Sequence, residues 1–429
     1  MKKHLAALCI ALCLLWTLTP AKGLASSARE GETAYYINPL YADVVTEADL
    51  RPALPAPILK APAPGTSARE EQTYYTAVSE LAPYVRDCLK LRQGTIRFSY
   101  ASAQDMASRW NEFIRRVLDA AMAHSGVPTE GDYLLWQYAG AGLSHVDRGL
   151  KDGLYRYDVT VTMTYYTTAA QEAEVDAFVE AFMAQPAVAT GTDYEKVCAI
   201  YDWLCSYVYY DWDNFNAQND VWRQGGRSLV YPLMYTAYGA AVDVKATASS
   251  LSGHGDLHGV HTAVCQGYGT LFYRLALECG LDARLIAGAA NGAHAWNMVE
   301  LEGKRYLLDA TWDAQKEPYQ YFLRGSDRFA GHRPYVRETA GGYYYGDQYD
   351  YALLGISGAD YAPPAGDLDG DGLLTVIDLQ ALFTYLSGGE TTAHFDRRGV
   401  LFAAACDCNG DGTVNILDYQ ALYELVRNG

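Results

Sequence analysis

The sequence predicts an α+β protein in three folded parts: a small α/β domain over 71–185, a larger mixed domain over 186–355 and an all-α module over 366–429. Three observations carry this. Helical and strand periodicities intermix from about Glu71 onward. The 429 residues exceed what one core accommodates, so two or three domains are expected. The tail repeats itself at an offset of 40: Asp367-Leu-Asp-Gly-Asp-Gly with Asp378-Leu-Gln-Ala-Leu returns as Asp407-Cys-Asn-Gly-Asp-Gly with Asp418-Tyr-Gln-Ala-Leu.

In chain order, Met1-Lys2-Lys3 precedes an apolar run from Leu5 to Leu18 and the small-residue stretch Gly23-Leu24-Ala25. This is the layout of a cleaved signal peptide over 1–25, with an apolar core too short for a membrane span. The mature chain is expected to be secreted, with no membrane segment after cleavage. Residues 26–70, with prolines at 52, 55, 57, 62 and 64, read as a linker. Helices are expected over 73–91 and 103–124, with a short strand over 95–100. A hairpin follows over 133–145 and 154–166, where Tyr155, Tyr157, Val159 and Val161 alternate with polar neighbours. A helix over 171–183 closes a domain without a catalytic constellation.

The second domain opens on an amphipathic helix, 194–208. Its Cys198 and Cys205 lie about 10 Å apart along that helix, so they read as core residues and not as a disulfide. Of nine cysteines, Cys9 and Cys13 leave with the signal peptide, and the odd remainder leaves at least one thiol outside any internal pair. The stretch 247–261 holds His254, Asp256, His258 and His261 among glycines; it reads as a surface lid, with a metal site as the lesser alternative. A helix then runs from Cys265 to Cys279-Gly280, and strands are expected over 293–301 and 304–312. Residues 356–365 read as a second linker.

Three residues stand out as chemistry: Ala-Val-Cys265-Gln-Gly-Tyr-Gly, Ala-His294-Ala-Trp-Asn and Leu-Leu-Asp309-Ala-Thr-Trp-Asp. A helix start stabilises a thiolate through its unpaired amides and its positive dipole end. If the last two strands pair about a turn at Glu302-Gly303, Trp296 faces Asp309 and His294 faces Thr311. His294 and Asp309 then become diagonal neighbours on one face, about 7 Å apart or less. Nucleophile, base and orienter are thus expected at Cys265, His294 and Asp309.

The tail repeats fit twelve-residue EF-hand loops. Asp367, Asp369, Asp371 and Asp378 stand at positions 1, 3, 5 and 12 of the first, with Leu373 giving a carbonyl at 7 and Thr375 at 9. Asp407, Asn409, Asp411, Thr413, Asn415 and Asp418 repeat the pattern. Two structural calcium ions are expected, and no cofactor for catalysis. The balance of 33 basic against 51 acidic residues, net −18, argues against nucleic acid as a partner.

These motifs carry two resemblances. Residues 194–322, through Tyr-Glu-Lys-Val-Cys-Ala-Ile-Tyr-Asp-Trp-Leu (194–204), Ala-Tyr-Gly-Ala-Ala-Val (237–242) and the three motifs above, resemble the bacterial transglutaminase-like family with its papain-like fold. That resemblance implies acyl transfer from a protein or peptide amide to an amine or to water (transglutaminase, deamidase or protease), with Cys265 as nucleophile. The paired loop–helix repeats resemble a type I dockerin, which implies docking to a cohesin module of a scaffold protein, in a free or cell-surface cellulosome-like complex. The apolar pairs Val376-Ile377 and Ile416-Leu417 stand where the best-known dockerins carry Ser/Thr, leaving the cohesin class open. The alternative from another class is a non-catalytic binding or assembly protein on the same fold; an intact triad argues against it.

Overall fold

The computed structural model describes residues 34–37, 73–224, 229–242, 244–245, 260–316, 319–335, 348–369, 372–388 and 405–428. The signal-peptide reading, the histidines at 254 and 258, and Asp371 lie outside them. By contact the chain divides into two units that do not follow chain order: residues 1–173, 212–238 and 338–345 form one, and 174–211, 239–337 and 346–429 the other.

In the first unit an antiparallel sheet takes the order β1-β3-β4-β2, from Ala34–Ile37 (β1), Thr95–Ser102 (β2), Tyr138–Lys151 (β3) and Leu154–Tyr165 (β4). β1 lies inside the stretch read as a linker: Ala34–Ile37 pairs with Gly140–Leu143, where β3 offers an edge. The alternation in β4 does mark its core face, for Tyr157, Val159 and Val161 are buried with Ile96, Phe98 and Tyr100 of β2. The helices Val78–Lys90 and Trp110–Ala121 bury Leu81, Val85, Leu89, Phe113, Val117 and Leu118 in the same core. β3 starts later than expected, because Asp132–Leu135 makes a helical turn first.

The second unit centres on the helix Cys265–Glu278, buried at every position from Gln266 to Leu277. A helix buried on all sides belongs inside a core. The helix Asp193–Tyr207 packs beside it, started by a capping box in which Thr192 and Glu195 satisfy each other's backbone amides. The main sheet is antiparallel, in the order β10-β9-β8-β11, from Ala283–Ala289 (β8), Ala293–Leu301 (β9), Lys304–Leu308 (β10) and Arg333–Pro334 (β11). A three-stranded sheet, Val208–Tyr210 (β5), Val244–Lys245 (β6) and Val260–Ala263 (β7), feeds directly into Cys265.

The β9–β10 register is the expected one, from Lys304↔Leu301 to Leu308↔Asn297. Its turn places both Glu302 (φ 52) and Gly303 (φ 73) in the left-handed region, as a tight hairpin with right-handed twist requires. The strand stops at Leu308 and does not continue to Trp312. Asp309 caps a short helix, Ala310–Asp313, by accepting from the Thr311 and Trp312 amides, which takes the chain out of the sheet.

The segment 356–365, read as a linker, is bonded down. Tyr361 is buried, donates its hydroxyl to Glu302 (3.0 Å) and its amide to the Leu323 carbonyl (3.0 Å), and stacks on Tyr194. Asp360 pairs with Arg324 at 2.8 Å. Beyond it, the helices Val376–Leu386 and Ile416–Asn428 close a small core of Leu368, Leu379, Leu382, Ala405, Cys406 and Leu422. Among the described residues no helix is long and apolar enough to cross a membrane.

Candidate functional site

Cys265 is the first residue of its helix, with Val264 in extended conformation at the cap and no side chain capping it. Cys265 is partly exposed, whereas the next residues are buried. The helix is seated close to the sheet at Gly269, where an added Cβ would overlap Leu285. Asn297 fixes it there, donating Nδ2 to the Gly269 carbonyl (3.0 Å) and to the Arg284 carbonyl (3.2 Å). The helix start is thus held relative to β9, which carries His294 three residues before Asn297.

His294 Nε2 lies 2.7 Å from Asp309 Oδ2, and the Cys265 sulfur is near enough to act on the same ring. The three residues selected from the sequence are therefore brought together. The side chains of His294 and Asp309 are 7% and 1% exposed, so their interaction acts at short range with little solvent screening. Burial opposes charge on His294, but the Asp309 carboxylate and the Cys265 sulfur outweigh it and push the ring up to about 10. Burial likewise works against the Asp309 carboxylate, and the His294 charge, with hydrogen bonds from two histidines, holds it down to about 2. An imidazolium between a carboxylate and a thiolate is a state that stores the proton taken from the thiol.

The second histidine is His332, which sequence reasoning missed. Its Nε2 is 2.9 Å from the same Oδ2. It stands alone in Phe-Ala-Gly-His332-Arg-Pro, with no periodicity or motif to single it out. Asn297, although inside a quoted motif, was not assigned a role either. Asp313 serves the surrounding scaffold: it accepts from the Tyr201 hydroxyl and the Gln320 and Tyr321 amides, all within 2.9 Å. The ligand-type atoms of His294, Asp309 and His332 converge within 4.8 Å. Both imidazoles point a nitrogen at a carboxylate oxygen at hydrogen-bond distance, so the cluster is closed by its own protons and a cation would have to displace two of them.

In the tail, Asp367, Asp369 and Asp378 bring carboxylate oxygens within 4.8 Å of one another. Asp378 and Asp418, at the twelfth place of each loop, are completely buried. Each closes its loop in the same way: Asp378 accepts from the Asp369 and Thr375 amides, Asp418 from the Asn409 and Asn415 amides. Asp367 and Asp407 accept from the amides of Gly372 and Gly412, both in the left-handed region. Buried carboxylates gathered by glycine turns fit a hard cation. Leu373, Thr375, Thr413, Asn415 and Asp411 stand on the same loops, and Thr375 also caps the Val376–Leu386 helix.

Burial raises Cys205 far above the usual thiol range, Cys279 to about 11, Cys406 to about 12 and Cys408 to about 11. None of the seven described cysteines is in a disulfide.

Residues 365–427 match the family model for the dockerin type I domain, and the C-terminal module is therefore a type I dockerin. Among curated proteins the chain is similar to "Kyphoscoliosis peptidase" of Homo sapiens, 28% identical over 134 residues, and to the Mus musculus protein of that name, 27% identical over 134 residues. Each match takes in 28% of this chain and 16% of the relative's length. Among solved structures, "Crystal structure of a TGase" aligns at 15% identity over 61% of this chain and 65% of that one, at a TM-score of 0.27, too low to bear on the fold.

Proposed function

We propose that the chain is a scaffold-docked cysteine enzyme that attacks protein or peptide amides, with Cys265 as nucleophile, His294 as base and acid, and Asp309 as orienter. One observation carries this reading: a partly exposed cysteine at a helix start lies beside a histidine whose Nε2 is 2.7 Å from a buried carboxylate. In this mechanism His294 takes the Cys265 proton, sulfur adds to the amide carbonyl, and the imidazolium returns the proton to the departing amine. Asp309 keeps the imidazole tautomer and stabilises its charged form. The resulting thioester passes to an amine or to water, so cross-linking, deamidation and peptide hydrolysis share this centre. The name of the curated relatives, a peptidase, supports amide chemistry.

The dockerin module supplies the location. On this reading it holds two calcium ions, through Asp367, Asp369, Asp371 and Asp378 with the Leu373 carbonyl and Thr375, and through Asp407, Asn409, Asp411 and Asp418 with the Thr413 carbonyl and Asn415. Its partner on this reading is a cohesin of an extracellular scaffold. Val376 (71% exposed) with Ile377, and Ile416 (60% exposed) with Leu417, present two related apolar pairs suited to docking.

Incubating the protein with a mixed protein digest, with and without a primary amine, tests the reaction by mass spectrometry. New glutamine–amine adducts, deamidated glutamines or fresh peptide termini are expected from the wild type and absent with Cys265→Ala. Digests identical for the two proteins would overturn the enzymatic reading and favour a non-catalytic assembly role.

A further inference from the structure

His332 has no part in the mechanism above, yet its side chain is wholly buried at the centre of the site. Nε2 meets Asp309 Oδ2 at 2.9 Å, the oxygen that His294 Nε2 meets at 2.7 Å, and Nδ1 lies 3.1 Å from the Ala330 carbonyl. The other carboxylate oxygen, Oδ1, takes the Thr311 and Trp312 amides. Four donors thus converge on one carboxylate, which offers about four lone-pair directions. His332 fills the one the chain nearby does not.

Packing alone does not call for a histidine there. Phe329, Trp312, Trp296 and Tyr321 surround the ring with centroids 4.1 to 5.3 Å away, a cage that a phenyl ring would also fill. The placement is built by β11, whose Arg333 and Pro334 pair with Ala289 and Gly288 of β8. At Gly288 the Trp296 ring and the Arg333 carbonyl come so near that a Cβ would overlap both. This close approach sets His332, the residue before β11, against Asp309.

We propose that His332 is a positioning residue, whose Nε2–H holds Asp309 Oδ2 so that the carboxylate keeps His294 turned toward Cys265. This rests on the reading of those three residues as one catalytic unit. Without that donor, Oδ2 is buried with one partner, a condition that costs free energy and is relieved by rotation or by taking up a proton. Either outcome weakens the imidazolium and with it the thiolate. The other titratable groups that act on Asp309 or feel it are Asp313, Tyr201, Cys205, Tyr268, Tyr321 and Tyr351. They stay the same in the variants below.

The test compares the full chain with His332→Phe, which keeps a ring but no donor, and His332→Gln, whose amide nitrogen reaches toward the place of Nε2. Iodoacetamide alkylation of Cys265 is followed at about pH 6, well below the free-thiol range, and at about pH 9.5, above it. His332→Phe is expected to slow alkylation at the lower pH by at least about tenfold and at the higher pH by less than about threefold. His332→Gln should restore the low-pH rate to within about threefold of wild type. A His332→Phe protein that keeps the wild-type rate at the lower pH overturns the proposal, as does a Gln variant as slow as Phe.

Proton NMR of the ring N–H groups reads the same bond without chemistry at Cys265. His332→Phe should remove one slowly exchanging N–H signal and speed exchange of the His294 signal, and Asp309→Asn should disturb both. Unchanged His294 exchange in His332→Phe contradicts the proposal whatever the thiol does. A wild-type Cys265 no more reactive than the other thiols would instead sink the catalytic reading, so the two failures are distinguishable.

Discussion

Asp309 does two jobs with its two oxygens. Oδ1 starts a helix through the Thr311 and Trp312 amides, while Oδ2 takes the protons of His294 and His332. An asparagine retains one acceptor but presents N–H groups where acceptors are needed. Asp309→Asn is therefore expected to lower turnover by about 10⁴ with the fold retained, because His294 loses its tautomer and its counter-charge. Stability should respond to pH as well. Asp309 is lowered from 3.8 to about 2, so its contribution is present above about 4 and is lost as pH falls toward 2. His294 is raised from 6.5 to about 10, so its contribution is present below about 6.5 and is lost as pH rises through 10. The melting-temperature gap between wild type and Asp309→Asn should be widest from about pH 4 to 6.5 and narrow on both sides. A gap that is flat across pH would show that the pair is not ionised as described.

At the scale of elements, the hairpin shows what was legible and why some was not. Alternation through Arg305, Tyr306, Leu307 and Leu308, with a Glu302-Gly303 turn, fixes the register correctly. The expected strand overshoots by four residues because Asp309 is a strong helix cap, and capping wins over strand pattern at that residue. His294 and Asp309 still meet, since the diagonal relation needs only the first residue beyond the paired strand. The tail was more legible, because a duplicated loop announces a paired module in sequence. Asp378 and Asp418 are buried carboxylates on a module whose apolar core is only a handful of residues, so cation binding and folding should be coupled. Hydrogen exchange on the full chain is expected to show residues 365–427 protected with calcium and exposed with a chelator, while 260–313 stay protected in both. Asp367→Ala with Asp407→Ala should remove that protection and capture by a cohesin. Equal protection with and without calcium would contradict the coupling.

Across the whole molecule, tertiary pairing accounts for what sequence order hid. His332 reaches Asp309 through the pairing of β11 with β8, which no local pattern records. The segment Ala34–Ile37 likewise becomes a strand only because β3 offers an edge. The positions of Cys265, His294 and Asp309 were legible because each sits in a motif that also sets local structure: a helix start, a strand and a cap. The proposed function requires that one thiol among seven be activated. Cys265 stands at a helix start beside His294, and burial raises Cys205, Cys279, Cys406 and Cys408. Limited iodoacetamide at neutral pH, with peptide mapping of each cysteine over time, measures this directly. Cys265 is expected to be modified at least about a hundredfold faster than any other cysteine, and faster in the wild type than in His294→Ala. Slow and equal labelling of Cys265 and the buried thiols, unchanged by His294→Ala, would contradict an activated Cys265.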